Sequence, residues 1–66
     1  MIDTVGSRIK SLRVKYGLKQ TDLAKKLGYS VDTVSNWETD KTIPKGDAIV
    51  DLAEYFGVTC DYILCG

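Results

Sequence analysis

The sequence predicts an all-α domain, and three observations predict it. Apolar residues recur at three- and four-residue spacings in several successive stretches, no stretch keeps a two-residue alternation for the length of a strand, and glycines stand where the helical stretches stop. Sixty-six residues make one small domain over 1–66. At this size only about 60% of the unfolded chain's surface is buried, so the core must come from short elements with few excursions.

Val5, Ile9, Leu12 and Tyr16 follow one another at spacings of four, three and four. They line one stripe of a first helix over residues 5 to 16, with Arg8, Lys10 and Lys15 pointing elsewhere and Gly17 ending it. Leu23, Ala24 and Leu27 repeat the pattern in a second helix that stops at Gly28, a natural left-handed position. Ser30 is a suitable N-cap for a third helix from Val31 to Glu38, with Val34 and Trp37 on one side. Pro44 interrupts the chain, and Ile49, Leu52, Ala53 and Phe56 mark a fourth helix closed by Gly57. Thr59 can cap a last turn or two containing Tyr62, Ile63 and Leu64. Two starts lack a good cap. Lys19 precedes the second helix and Lys45 with Gly46 opens the fourth, which predicts fraying there or backbone donors left free for another acceptor.

Composition removes several function classes. No apolar run approaches the roughly 20 residues of a membrane span, and MIDTVGSRIK has neither the basic nor the apolar region of a signal peptide. The expectation is a soluble, cytoplasmic protein with no membrane partner. Cys60 and Cys65 have no histidine or second thiol pair to complete a zinc site, so both are expected to be reduced, with no metal and no cofactor. An enzyme fails on inventory: there is no histidine, no phosphate-binding glycine loop, no paired-carboxylate cleft that so short a chain encloses, and no base beside either thiol. No small-molecule ligand is indicated either.

Net charge is zero, but its distribution is not even. All nine basic residues lie within 1–45 beside five acidic ones, a net +4, whereas from Gly46 onward there are four acidic residues and no basic one. Such a chain can present a positive face and a negative face although its total is neutral.

The most informative stretch is QTDLAKKLGYSVDTVSNWET, Gln20 to Thr39, where two helices are joined by a few residues around Gly28 and must cross steeply. Ala24 must be small because the third helix crosses there, Gly28 must reach positive φ, and Val34 must be apolar and compact as the inward side of the third helix. Leu23, Leu27, Tyr29 and Trp37 fill the space around Val34. With RIKSLRVKYGLKQ ahead of it, WETDKTIP behind it and LAEYFGVTCDYIL at the end, the chain resembles the Cro and repressor type of helix-turn-helix proteins, the lambda-repressor-like family. That resemblance covers nearly the whole chain. It implies a compact bundle of five short helices, with the helix-turn-helix proper at about 20–39, acting as a dimer on a nearly palindromic operator.

The inner side of the third helix is committed to the core, which leaves Val31, Asp32, Thr33, Ser35 and Asn36 free to enter a major groove wide enough for one helix. By resemblance Val31, Asp32 and Asn36 are the base-reading positions. Asn36 can pair bidentately with adenine, Val31 can meet a thymine methyl, and Asp32 can accept from a cytosine amino group or serve the helix dipole instead. Gln20 matches the family's glutamine at the start of the second helix, facing the DNA backbone. Lys19, Thr33, Thr39, Lys41 and Lys45 surround the same surface in the family pattern, with Ser35 in support; the lysines would equally serve solubility. In the family the positions of Arg13 and Glu38 form a salt bridge between the first helix and the reading helix. Asp40 stands where the family commonly has glycine, so a left-handed residue with some strain is expected there.

The acidic C-terminal third, with Val58, Tyr62, Ile63 and Leu64, is where family members usually dimerise, although a chain this small also needs those residues to close its core. The length favours a Cro-sized regulator over a large inducible repressor. The leading reading is a sequence-specific DNA-binding transcriptional repressor. The other is a protein-interaction module of the same fold with an antitoxin-like partner, which the neutral charge and Asp32 favour.

Overall fold

The computed structural model of the protein describes residues 3–65. Five helices follow in chain order: α1 (Val5–Lys15), α2 (Gln20–Leu27), α3 (Val31–Glu38), α4 (Gly46–Phe56) and α5 (Cys60–Cys65). No strand occurs among the described residues. They enclose one apolar core within an envelope of 25 × 23 × 22 Å, in which Ile9 of α1, Leu23 of α2, Val34 of α3, Leu52 of α4 and Ile63 of α5 are fully buried. Each helix therefore contributes at least one side chain to the centre.

Local chemistry explains where the helices start. The Thr4 hydroxyl accepts the Ser7 N–H at 3.1 Å while the Ser7 hydroxyl accepts the Thr4 N–H at 2.8 Å, a reciprocal box with serine in the place usually held by Glu or Gln. Ser30 caps α3 by accepting the Thr33 N–H at 3.2 Å, and Thr59 caps α5 by accepting the Tyr62 N–H at 3.0 Å. Neither Lys19 nor Lys45 gives its helix a side-chain cap, as expected, but an aspartate acts near each start. Asp22 accepts the N–H of Lys19 itself at 2.9 Å, one half of a capping box, and Asp47 accepts the Ala48 N–H at 2.9 Å inside the first turn of α4. The α2–α3 turn closes at Gly28 with φ +81°, which a residue with a Cβ adopts only at a cost.

Two residues of the segment read as the first helix depart from expectation. Tyr16 lies just past α1 and is 53% exposed, yet its hydroxyl donates to the Phe56 carbonyl at 2.9 Å and its ring meets that of Phe56 at 5.3 Å. Arg8 does not point to solvent: only 7% of it is exposed. Its Nε donates to the Ile63 carbonyl at 2.8 Å, Nη2 to that of Leu64 at 2.7 Å, and Nη1 pairs with Asp3 at 3.1 Å. Each of the three guanidinium nitrogens thus has an acceptor, which lets the charge be buried.

The orientation of α3 is fixed from two sides. On one, Arg13 of α1 forms the expected ion pair with Glu38, Nε to Oε2 at 2.5 Å and Nη2 to Oε1 at 2.9 Å, with side-chain exposures of 12% and 2%. Arg13 Nη1 also donates to the Leu18 carbonyl at 2.8 Å, and Gln20 Nε2 of α2 donates to Glu38 Oε1 at 3.0 Å. One carboxylate thus joins α1, α2 and α3. The hydrogen bonding of Arg13 to the Glu38 carboxylate raises the Arg13 pKa above its already high ordinary value, outweighing the opposite pull of burial.

On the other side, Gly6 brings the α1 backbone against the end of α3. A Cβ at Gly6 would collide with the Trp37 carbonyl and stand 2.9 Å from that of Glu38. Asp40 takes the left-handed conformation expected of it, φ +61°, and its carboxylate accepts the Gly6 N–H at 3.0 Å and the Thr4 hydroxyl at 2.6 Å.

Two substitutions test this arrangement. Glu38→Ala leaves the Arg13 guanidinium enclosed without its counter-charge, which for a buried pair costs about 3 to 5 kcal/mol. Thermal unfolding followed by circular dichroism is expected to place it well below Glu54→Ala, a change at an exposed helix position; equal melting temperatures would contradict the pairing. Gly6→Ala is expected to lose about 3 kcal/mol in urea unfolding, because the obstacle is backbone rather than a side chain that can move aside. A parental midpoint for Gly6→Ala would show that α1 does not sit so close to α3.

Candidate nucleic-acid interface

A surface helix can present a reading flank only if its opposite flank is anchored, and α3 satisfies both conditions. Val34 and Trp37 are buried, and Trp37 also meets the Tyr29 ring edge-on at 5.0 Å. Helical periodicity then sets Asp32 over Asn36 and Val31 over Ser35 on the outer flank, with Thr39 continuing from Ser35. Val31 is 39% exposed and Asp32 is exposed, whereas Ser35 and Asn36 are half-buried. The flank is short, mostly polar and uncovered at its N-terminal end.

Each remaining residue has a definite place. The Asn36 carbonyl accepts the Lys41 N–H at 2.9 Å and the Thr42 N–H at 3.2 Å, which folds the following loop back on α3 and keeps exposed Lys41 beside its end. Lys45 borders the same helix from the start of α4, across a cleft of about 270 Å³ that it lines with Tyr29, Thr33 and Trp37. Lys19 adjoins Gln20, which touches Glu38. All three lysines are exposed, and each lies within a residue of a group in contact with α3 or its cleft.

Three side chains have other engagements than the one foreseen for them. The Gln20 amide nitrogen is held by Glu38 rather than standing free. Thr39 donates its hydroxyl proton to the Ser35 carbonyl at 3.0 Å, a bond internal to the helix end. Thr33 leans toward the cleft with Trp37 and shares a hydrogen bond with Ser30 at 2.8 Å, apart from the Asp32–Asn36 row. Beneath it, burial is the largest influence raising the Tyr29 phenol pKa above its ordinary value, followed by Asp47 and Asp51, the latter lying 3.4 Å away.

Sequence reasoning missed the residues that brace this flank from behind. The Asp40 carboxylate and Gly6 lock the end of α3 to α1, and Arg8 locks α1 to α5. The available sign was Gly6 inside the first turn of the predicted helix, a position where glycine usually has a packing reason. Nothing in the spacing of Arg8 distinguished it from a solvated residue.

Comparison with known proteins agrees with this geometry. A profile described as helix-turn-helix matches residues 9–63. The chain is 34% identical over 61 residues to the HTH-type transcriptional regulator ImmR of Bacillus subtilis (strain 168), an overlap of 92% of this chain and 48% of that protein. It is 37% identical over 65 residues to the repressor protein CI of Enterobacteria phage phi80, 98% of this chain and 27% of that one. The chain therefore spans half or less of the length of these curated relatives. Its fold superimposes on the crystal structure of the P22 c2 repressor protein in complex with synthetic operator 9T in the presence of Tl+, with a TM-score of 0.93, 32% identity and 98% of each chain covered. With a helix-turn-helix at Gln20–Glu38 held in a five-helix, all-α frame, the chain belongs to the helix-turn-helix family, in its lambda-repressor-like branch.

Proposed function

We propose that this chain is one helix-turn-helix domain that binds double-stranded DNA sequence-specifically as a small Cro-like repressor in the cytoplasm, reading the major groove with α3. The observation that carries the reading is the outer flank of α3, uncovered at its N-terminal end, in a frame that superimposes on an operator-bound repressor with a TM-score of 0.93. A major groove about 12 Å wide admits one helix of this kind. The reading is of a binding protein, not an enzyme.

Within it, Val31, Asp32 and Asn36 contact base edges. Asn36 donates to and accepts from adenine, Val31 meets a thymine methyl, and Asp32 accepts from a cytosine amino group where one is presented. Lys19, Lys41 and Lys45 supply charge to the phosphates on either side, with Gln20, Thr33, Ser35 and Thr39 as polar neighbours that help fix register. For Gln20 the amide retains a second N–H after donating to Glu38, so ion-pair bracing and a phosphate contact are compatible. Thr39 would have to release its bond to Ser35 before donating to a phosphate.

The partner is a palindromic operator bound by two copies. Exposed Tyr62 and Leu64 of α5, together with half-buried Val58, support a homodimer formed at least on DNA. Ile63 is excluded from that face because it is fully buried and closes the core. Two related copies then meet two half-sites about one helical turn apart.

Selection of bound duplexes from a random pool is the test. The expected return is a two-fold symmetric motif, and Asn36→Ala should relax one position of it at a cost of about 1 to 3 kcal/mol. With roughly four phosphates neutralised per protomer, log K should fall against log salt with a slope of about −3.6 per protomer. Failure to enrich any duplex, with no salt-dependent binding, would favour the protein-interaction module instead.

A further inference from the structure

Two unusual contacts of α1 lie within three residues of each other and reach opposite parts of the fold. The Gly6 N–H and Thr4 hydroxyl are held by Asp40, two residues beyond the end of α3. The adjacent Gly6 backbone has no room for a Cβ because the Trp37 and Glu38 carbonyls occupy that space. At the next turn Arg8 enters the interior and donates to the carbonyls of Ile63 and Leu64, 55 and 56 residues away. The last carbonyls of a helix have no partner within it, and a basic side chain that supplies donors there both satisfies and orients the helix end.

The helix so held is the one assigned above to the partner copy. With six residues α5 is too short to keep a direction by its own hydrogen bonds. Thr59 restrains its start and Arg8 its end, while Ile63 fixes its rotation by complete burial. The exposed arc that remains carries Leu64, Asp61, Cys65 and Tyr62.

We infer that the first two turns of α1 form a rigid strut, clamped by Asp40 at the reading helix and by Arg8 at α5, that sets the angle between the DNA-reading flank and the dimer face and thereby the half-site spacing the protein accepts. This rests on the proposed function and adds Arg8 and Asp40 to it as positioning residues that touch neither base nor partner. A one-base-pair change in spacing rotates one half-site about 35° around the DNA axis, at about 10.5 base pairs per turn. A rigid dimer cannot follow that rotation, whereas one with a loosened α5 can.

The experiment measures binding by fluorescence anisotropy to duplexes carrying one selected half-site, or two at centre-to-centre separations varied one base pair at a time. The parent is compared with Arg8→Lys, which retains the charge but loses the fork, and with Asp40→Gly, which keeps the left-handed turn and removes the carboxylate. Circular dichroism at the assay temperature identifies the folded variants, and either one suffices. The parent is expected to favour its best spacing over its neighbours by about tenfold, and either variant by less than about threefold, with single-half-site affinity unchanged in Arg8→Lys and lowered alike on every duplex in Asp40→Gly, whose carboxylate also braces α3. Simple destabilisation would lower every affinity together and leave the ratio alone. A variant with the parental spacing ratio overturns the strut. A parent that binds paired half-sites no better than a single one overturns the dimer reading, and the strut with it.

Discussion

Glu38 presents a carboxylate that is almost wholly withdrawn from solvent and shared among three helices, and the position of the reading flank depends on it. Replacing a buried ion pair by apolar side chains often preserves stability, so net energy is not what such a group chiefly adds. Hydrogen bonds are directional, and here Arg13 and Gln20 converge on one carboxylate from different helices. The apolar contacts of Val34 and Trp37 press α3 into the core, whereas this network fixes how it lies there. The Gly6–Asp40 contact supplies a second restraint at the same end, so α3 can neither roll nor lift without breaking both.

Much of this was legible in the chain because it follows from local rules. Gly28 marks a left-handed stop, Ser30 a cap, and the spacing of Ile49, Leu52, Ala53 and Phe56 a buried stripe, and all of these hold in the structure. The fate of Arg8 was not legible, because its acceptors lie at the other end of the sequence and no periodicity refers to them. The parts played by Asp22 and Asp47 at the starts of α2 and α4 were missed for a different reason. Attention to the N-cap position overlooked carboxylates two and three residues further on, which reach backbone donors from inside the helix. At Asp40 the backbone conformation followed from the family resemblance, which places glycine there, but the use of its carboxylate depended on α1 arriving beside it.

The charge pattern bears on how such a protein would find DNA. With a net charge of zero it exerts little long-range pull on a polyanion, so the lysines flanking α3 matter by position rather than by number. From Gly46 onward the chain carries only acidic charge, which disfavours an approach by that side and leaves it to face another protein surface. Asp32 is the local exception, a carboxylate on the reading flank. It lies in the first turn of α3, where a negative charge favours the helix dipole, and under the proposed function it would select base pairs that offer it a donor.

The central claim is that bracing the inner side of α3 leaves its outer flank to meet a duplex. Titration of the isotope-labelled protein with its selected duplex, followed by nuclear magnetic resonance, tests it most directly. The account predicts the largest perturbations at the amides of Val31, Asp32, Ser35 and the Asn36 side chain, accompanied by Lys19, Lys41 and Lys45. Perturbations confined to α1 and α4, with the α3 flank unmoved at saturation, would contradict it.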